Sequence, residues 1–206
     1  MTMKNKREIG RAEMKILFHD TFYESDYADD CASVPGRMEA IMAVIGSEST
    51  FEILRHQPSS DDAVRLAHTQ TYVDAVKSNG PLFDMAMLAA GAAIAAADVA
   101  MIGEPAFACL RPPGHHAYRG FGWGYCVFSN MAIALLQLKQ QGKIGSAFVL
   151  DFDAHTGDGT KDVLSDWKEC HILNPYAGDS EAYIKEVHNF VKSIPAVDIV
   201  GVCAGF

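Results

Sequence analysis

The chain has 206 residues, 49% of them hydrophobic and 21% charged, which suits one packed domain or two small ones and excludes global disorder or a fibrous fold. Seventeen basic residues against 26 acidic ones leave a net charge of −9. That balance argues against general nucleic-acid binding, which needs a positive surface to displace counterions.

The chain reads as strands alternating with helices. Residues 1–14 begin basic but lead into no apolar segment, so they read as a polar extension and not a secretory signal. Residues 15–18 form a short apolar strand ended by His19-Asp20, and residues 21–36 are an acidic, aromatic loop closed by Pro35-Gly36. Residues 37–45 place Met38, Ile41, Met42 and Ile45 on one helical face. Residues 51–54 are ambiguous. Asp61 or Asp62 is expected to cap a helix running to Leu66, and residues 71–77 form another that stops before Asn79-Gly80-Pro81.

The longest apolar run, residues 85–102, is mostly alanine and glycine and contains Asp98, whereas a membrane span needs about 20 strongly apolar residues. A buried helix over about 82–102 is therefore expected, with no membrane association. A strand at 106–110 follows, then a helix at 129–141 with Ile133, Leu136 and Leu138 inward. Residues 145–152 form a strongly apolar strand, 169–173 another, 180–191 an amphipathic helix and 197–203 a last strand. This order implies an α/β fold with a mostly parallel sheet flanked by helices. The five cysteines form no C-x-x-C pair and are odd in number, which fits a reducing, cytoplasmic setting.

The densest chemical signal ends the strand at 145–152. Asp151, Asp153 and His155 recur at every second residue and share a side if the extended backbone persists. Adjacent buried carboxylates repel, and a cation resolves the conflict. Oxygen and imidazole donors together suit Zn²⁺, Fe²⁺, Mn²⁺ or Co²⁺. A second signal is Arg111-Pro-Pro-Gly-His-His-Ala117, whose tandem histidines can supply the base and acid that a hydrolytic metal site requires. Asp151 and Asp158 are suited to orient one ring each. The third is Gly120-Phe-Gly-Trp-Gly-Tyr-Cys-Val-Phe-Ser-Asn130, a shaped loop suited to wall an apolar slot. Ordinary core packing accounts equally well for Phe121, Trp123 and Phe128 taken singly.

Together RPPGHHA (111–117), GYCVFSN (124–130) and DFDAHTGDG (151–159) resemble the zinc-dependent deacetylases, a family of histone deacetylases, their bacterial relatives and acetylpolyamine amidohydrolases. Weaker likeness runs through FHD (18–20), VPGRMEAI (34–41) and RLAHTQTYVDAV (65–76). The resemblance implies an arginase/deacetylase-like fold. Asp153 and His155 match two of three metal ligands. His115 and His116 match the histidines that activate water and protonate the leaving group, with Asp151 and Asp158 as their carboxylate partners. Gly124 and Tyr125 match the pair lining the acyl-lysine tunnel, although the family more often has Phe at the second position. Arg37 matches an arginine near the acetate exit. The implied cofactor is Zn²⁺, with Fe²⁺ as an alternative, and a structural K⁺ held by backbone groups around Asp151, Asp153 and His155. The implied substrate is an acetylated lysine or polyamine.

Two departures accompany the likeness. Thr156 replaces a common histidine, and the sequence stops at Phe206, where the family continues to its third metal ligand and catalytic tyrosine. Residues 15–206 therefore read as the first part of a deacetylase domain, weak or inactive alone, with exposed strand edges that favour self-association. The alternatives are a non-catalytic deacetylase-like binding or scaffold protein and, within the fold, an arginase-like two-manganese enzyme, which wants a D-x-H-x-D run.

Overall fold

A computed structural model describes residues 14–176 and 178–205. The extension expected over residues 1–14 lies almost wholly outside the described residues, as does Phe206.

Among the described residues six strands run parallel, and their pairing divides them into two three-stranded sheets rather than one. The first has β1 (Met14–Leu17) between β2 (Phe51–Leu54) and β3 (Ala106–Ala108). The second has β4 (Ala147–Asp151) between β5 (Cys170–Leu173) and β6 (Ile199–Cys203). The ambiguous segment at 51–54 is thus a strand, paired in register from Met14 against Phe51 to Leu17 against Leu54.

The long helix α4 (Gly80–Met101) lies between the two cores. Phe83, Met87 and Ala90 enter one cluster, with Val127, Phe128, Ile133 and Val149. Met85, Leu88 and Ala92 enter the other, with Ile16, Leu17 and Phe22. An alanine-rich helix suits this place, because small side chains let neighbours approach on both faces. By length and composition it is apolar enough to cross a membrane, yet here it is packed as a core helix. The expected stop at Asn79-Gly80-Pro81 is also the start of α4. Proline is free of cost in a first helical turn, where its missing N–H has no partner to lose.

The remaining helices are α1 (Arg37–Ser47), α2 (Asp61–Val64), α3 (Gln70–Lys77), α5 (Asn130–Gln140), α6 (Asp158–Leu164) and α7 (Ser180–Ser193). Ser60, not an aspartate, caps α2, its hydroxyl accepting the Ala63 N–H at 3.2 Å. In α5 Leu135 is buried with Ile133 and Leu138, while Leu136 is only partly so.

Coverage of the second sheet is uneven. Phe190 of α7 stacks on Phe148 of β4 at 5.6 Å between ring centroids. Val200 and Val202 on the edge strand β6 stay 57% and 49% exposed, so one face there is bare. Beside it an open groove of about 510 Å³ runs between Leu150 and Phe152 on one side and Ile184, Val187 and Val191 on the other.

Candidate active site

The site gathers at the carboxyl end of β4, where parallel α/β folds present their ligands. The apolar run Ala147–Leu150 carries Asp151 into the interior, where it is 1% exposed. Beyond it the chain bends instead of continuing as a strand. The bend is held by the Asp153 N–H donating to Asp151 Oδ1 at 3.2 Å and the His155 N–H donating to Asp153 Oδ1 at 2.8 Å. Asp153 and His155 therefore converge through a turn, not through strand alternation, with His155 Nδ1 3.1 Å from Asp153 Oδ1. Asn174, at the end of β5, donates from Nδ2 to the Asp151 carbonyl at 3.2 Å.

The tandem histidines reach this end from the 111–117 loop. Gly159, in the first turn of α6, lets that loop in: a Cβ there would lie 2.4 Å from the Ala117 nitrogen. The Thr160 N–H then donates to the His115 carbonyl at 3.1 Å. Two His–Asp pairs result. His115 Nδ1 is 3.1 Å from Asp151 Oδ2, and His116 Nδ1 is 2.7 Å from Asp158 Oδ1. With each Nδ1–H donating to its carboxylate, each ring presents Nε2 for proton transfer. The ring centroids are 4.0 Å apart.

Electrostatics follow from this packing. Burial opposes charge on His115, but the hydrogen bond and charge of Asp151, reinforced by Asp153 and Asp158, carry its pKa above the ordinary imidazole value. Burial likewise works against the Asp153 and Asp158 carboxylates. The His155 N–H and the neighbouring rings nevertheless lower Asp153, and hydrogen bonds from His116 and Tyr118 lower Asp158. Cys126 is also close by, but burial pushes its thiol up to about 12, so it is no thiolate nucleophile.

The Gly-rich loop turns sharply at residues 123–126. Gly124 and Tyr125 both have positive φ, 56° and 68°, and the Cys126 N–H donates to the Trp123 carbonyl at 3.0 Å, the pattern of a type I′ turn. Any side chain at 124 would collide with His116, whose Cδ2 is 2.7 Å from the Cβ position. Tyr125 is half exposed, its hydroxyl 2.9 Å from Cys31 Sγ on the acidic loop.

Arg37 opens α1 and donates to the Ala32 carbonyl at 3.3 Å, and its charge acts on Tyr27 and Cys109. The structure thus assembles His115, His116, Asp151, Asp153, His155, Asp158 and Gly124 in one place, while Arg37 bonds to the loop before α1.

Sequence reading missed two residues. Arg111 is 2% exposed and donates to the carbonyls of Ser33 and Val34 (3.1 and 3.0 Å) and of Glu24 (2.8 Å), fastening the acidic loop. The only signal was its place before the prolines. Asn174 had none beyond standing at a strand end.

As metal donors, Asp153 and His155 offer one carboxylate and one imidazole, a pair that suits zinc or ferrous iron. Catalytic zinc takes about three protein ligands. Among the described residues no third His, Cys, Asp or Glu completes such a group, so the fit extends to two donors.

Comparison with known proteins gives the family and the fold. The family model of the histone deacetylase domain matches residues 32–186, and the chain belongs to that family. A probable deacetylase of Archaeoglobus fulgidus is 35% identical over 170 residues, covering 72% of this chain and 47% of the relative. The polyamine deacetylase HDAC10 of Danio rerio is 31% identical over 156 residues, covering 74% of this chain and 23% of the relative. The chain thus spans less than half the length of these relatives. The crystal structure of the HDA15 HD domain superposes with a TM-score of 0.80 at 21% identity, covering 95% of this chain and 73% of that one, and shows the arginase/deacetylase fold.

Proposed function

We propose that this site belongs to a metal-dependent amidohydrolase that removes acetyl groups from acetyl-lysine or acetylated polyamines. The observation that carries the reading is the pair of His–Asp couples, rings 4.0 Å apart, beside Asp153 and His155. The deacetylases among the relatives, one of them a polyamine deacetylase, support the substrate class.

Asp153 and His155 would hold zinc or ferrous iron, which supplies Lewis acidity and an acidified water when bound. His115 accepts a proton from water at Nε2 as the oxygen attacks the amide carbon, and Asp151 stabilises the imidazolium. His116 protonates the departing nitrogen as the C–N bond breaks, steadied by Asp158. The products are acetate and a free amine. Gly124 and Tyr125 border the acyl chain's approach, and Arg37 serves the acetate side. Backbone oxygens around Asp151, Asp153 and His155 are the place for potassium. The buried, unpaired Oδ1 of Asn174, whose Nδ2 donates to the Asp151 carbonyl, supports that reading.

Two donors hold a metal more weakly than three, so the 206-residue chain is expected to bind zinc weakly and turn over slowly. The reading includes a reducing, cytoplasmic setting, self-association through exposed apolar surface, and neither nucleic acid nor membrane as partner. The test measures zinc content and hydrolysis of an acetyl-lysine peptide and an acetylated polyamine, with Asp153→Asn as control. Weak zinc binding and slow hydrolysis, both lost in the variant, support the reading. Hydrolysis that survives chelation refutes it. The two-donor set also favours a second reading, a non-catalytic binding protein, which tight hydroxamate binding without turnover would support.

A further inference from the structure

We propose that Trp123 is a positioning residue for the proton donor His116. The proposal rests on the amidohydrolase reading above and adds a residue to its machinery.

The 2.7 Å hydrogen bond from His116 Nδ1 to Asp158 fixes one atom of the ring. It leaves the ring plane free to rock about that contact, which would swing Nε2, the atom that must meet the leaving nitrogen. Three neighbours remove this freedom. The His115 ring lies 4.0 Å away, inclined by 41°. Gly124 closes the Cδ2 edge so tightly that no Cβ fits. The Trp123 indole lies 4.0 Å away, inclined by only 29°, and is the flattest stack on this ring. The positive-φ turn at Gly124 and Tyr125 holds Trp123 in that pose.

Exposure separates Trp123 from a core residue. It is 49% exposed, while His116 is 4% exposed. A tryptophan needed only for stability would bury its own surface, but this one leaves half of it in water while helping to cover a histidine. Its flat face restricts the ring and shields it from solvent, which favours a single proton-transfer geometry.

The test compares the zinc-loaded full chain with Trp123→Phe and Trp123→Leu on a trifluoroacetyl-lysine peptide, an activated amide that keeps slow turnover measurable. Leucine fills space without a flat face, and phenylalanine restores one. Trp123→Leu is expected to lower kcat about tenfold, equivalent to about 1.4 kcal/mol, with KM nearly unchanged, and Trp123→Phe to recover most of the loss. Equal kcat for the two variants, or a loss confined to KM, would overturn the proposal.

A second readout needs no activity. The His116 ring protons, assigned by NMR with His116→Gln, are expected upfield in the parent from the indole ring current and at ordinary positions in Trp123→Leu. Ordinary positions in the parent refute the stack. If the parent hydrolyses nothing while the upfield shift is present, the amidohydrolase reading fails and the positioning of the ring stands.

Discussion

His68 gives the sharpest test of how the site loops are held. It lies between α2 and α3, 4% exposed, with its ring between Tyr72 and Phe128. Both nitrogens are engaged. The Ser129 N–H donates to Nε2 at 2.9 Å, and Nδ1 lies 2.9 Å from the Tyr118 carbonyl. Only the neutral ring with hydrogen on Nδ1 satisfies both partners. One partner follows the tandem histidines and the other ends the Gly-rich loop, so one imidazole staples two site loops. Burial is the main cause that lowers its pKa from 6.5 to about 4, opposed by the backbone hydrogen bonds. The unfolded chain therefore takes up a proton between those values that the folded chain refuses. The associated stability is complete above about pH 6.5 and drains as pH falls toward about 4. At about 1.36 kcal/mol per pH unit this amounts to about 3 kcal/mol. Urea unfolding followed by far-ultraviolet circular dichroism, from pH 7.5 to 4, compares the parent with His68→Gln, whose amide oxygen can still accept from Ser129. At pH 7.5 the variant is expected to be less stable by about 1 kcal/mol for the lost Tyr118 bond. Toward pH 4 the order reverses, because only the parent carries the proton penalty. Other titrating groups, such as the buried His56, are present in both proteins and cancel. Parallel stability curves, or a His68 that titrates near 6.5 by NMR, would refute the reasoning.

Other expectations are more local. Gly159→Ala places a methyl against the Ala117 backbone and should cost about 1–3 kcal/mol in urea unfolding. Asp158→Asn removes the charged partner of His116 and should lower turnover of acetyl-lysine peptide roughly 10- to 100-fold, with the far-ultraviolet spectrum unchanged. Val202→Lys on the bare face of β6 should reduce concentration-dependent association in sedimentation velocity, because an edge strand with exposed valines invites contact that a charge opposes.

All the described strands but β2, and most helices, were legible because apolar runs and turn residues act locally. The acids around β4 were legible for the same reason: a buried strand that ends in Asp151, with Asp153 just beyond it, needs something to answer their charge. That Asp151 and Asp158 orient one ring each could be anticipated, since tandem histidines need separate carboxylates, but which ring each takes came only from the structure. Long-range facts were not legible. Whether six parallel strands join in one sheet or two depends on pairing between distant segments. The convergence of Asp153 and His155 through a bend came from hydrogen bonds that strand periodicity does not encode. Trp123 was visible only as an aromatic in a glycine-rich loop. Its contact with His116 depends on the positive φ at Gly124 and Tyr125, which composition cannot register.

The Arg111 tether has a consequence for divergence. Its guanidinium grips the acidic loop through the carbonyls of Glu24, Ser33 and Val34, groups that every amino acid possesses. Of the side chains between those points, only some are tied in: the Tyr27 ring lies 5.5 Å from the guanidinium, and Asp30 Oδ1 accepts from the Ala32 and Ser33 N–H groups. The loop that touches Tyr125 through Cys31 can exchange its exposed residues, such as Asp26 and Asp29, without losing its fastening. In such an arrangement the exposed face of the loop can drift from one descendant to the next while the two His–Asp couples stay in place.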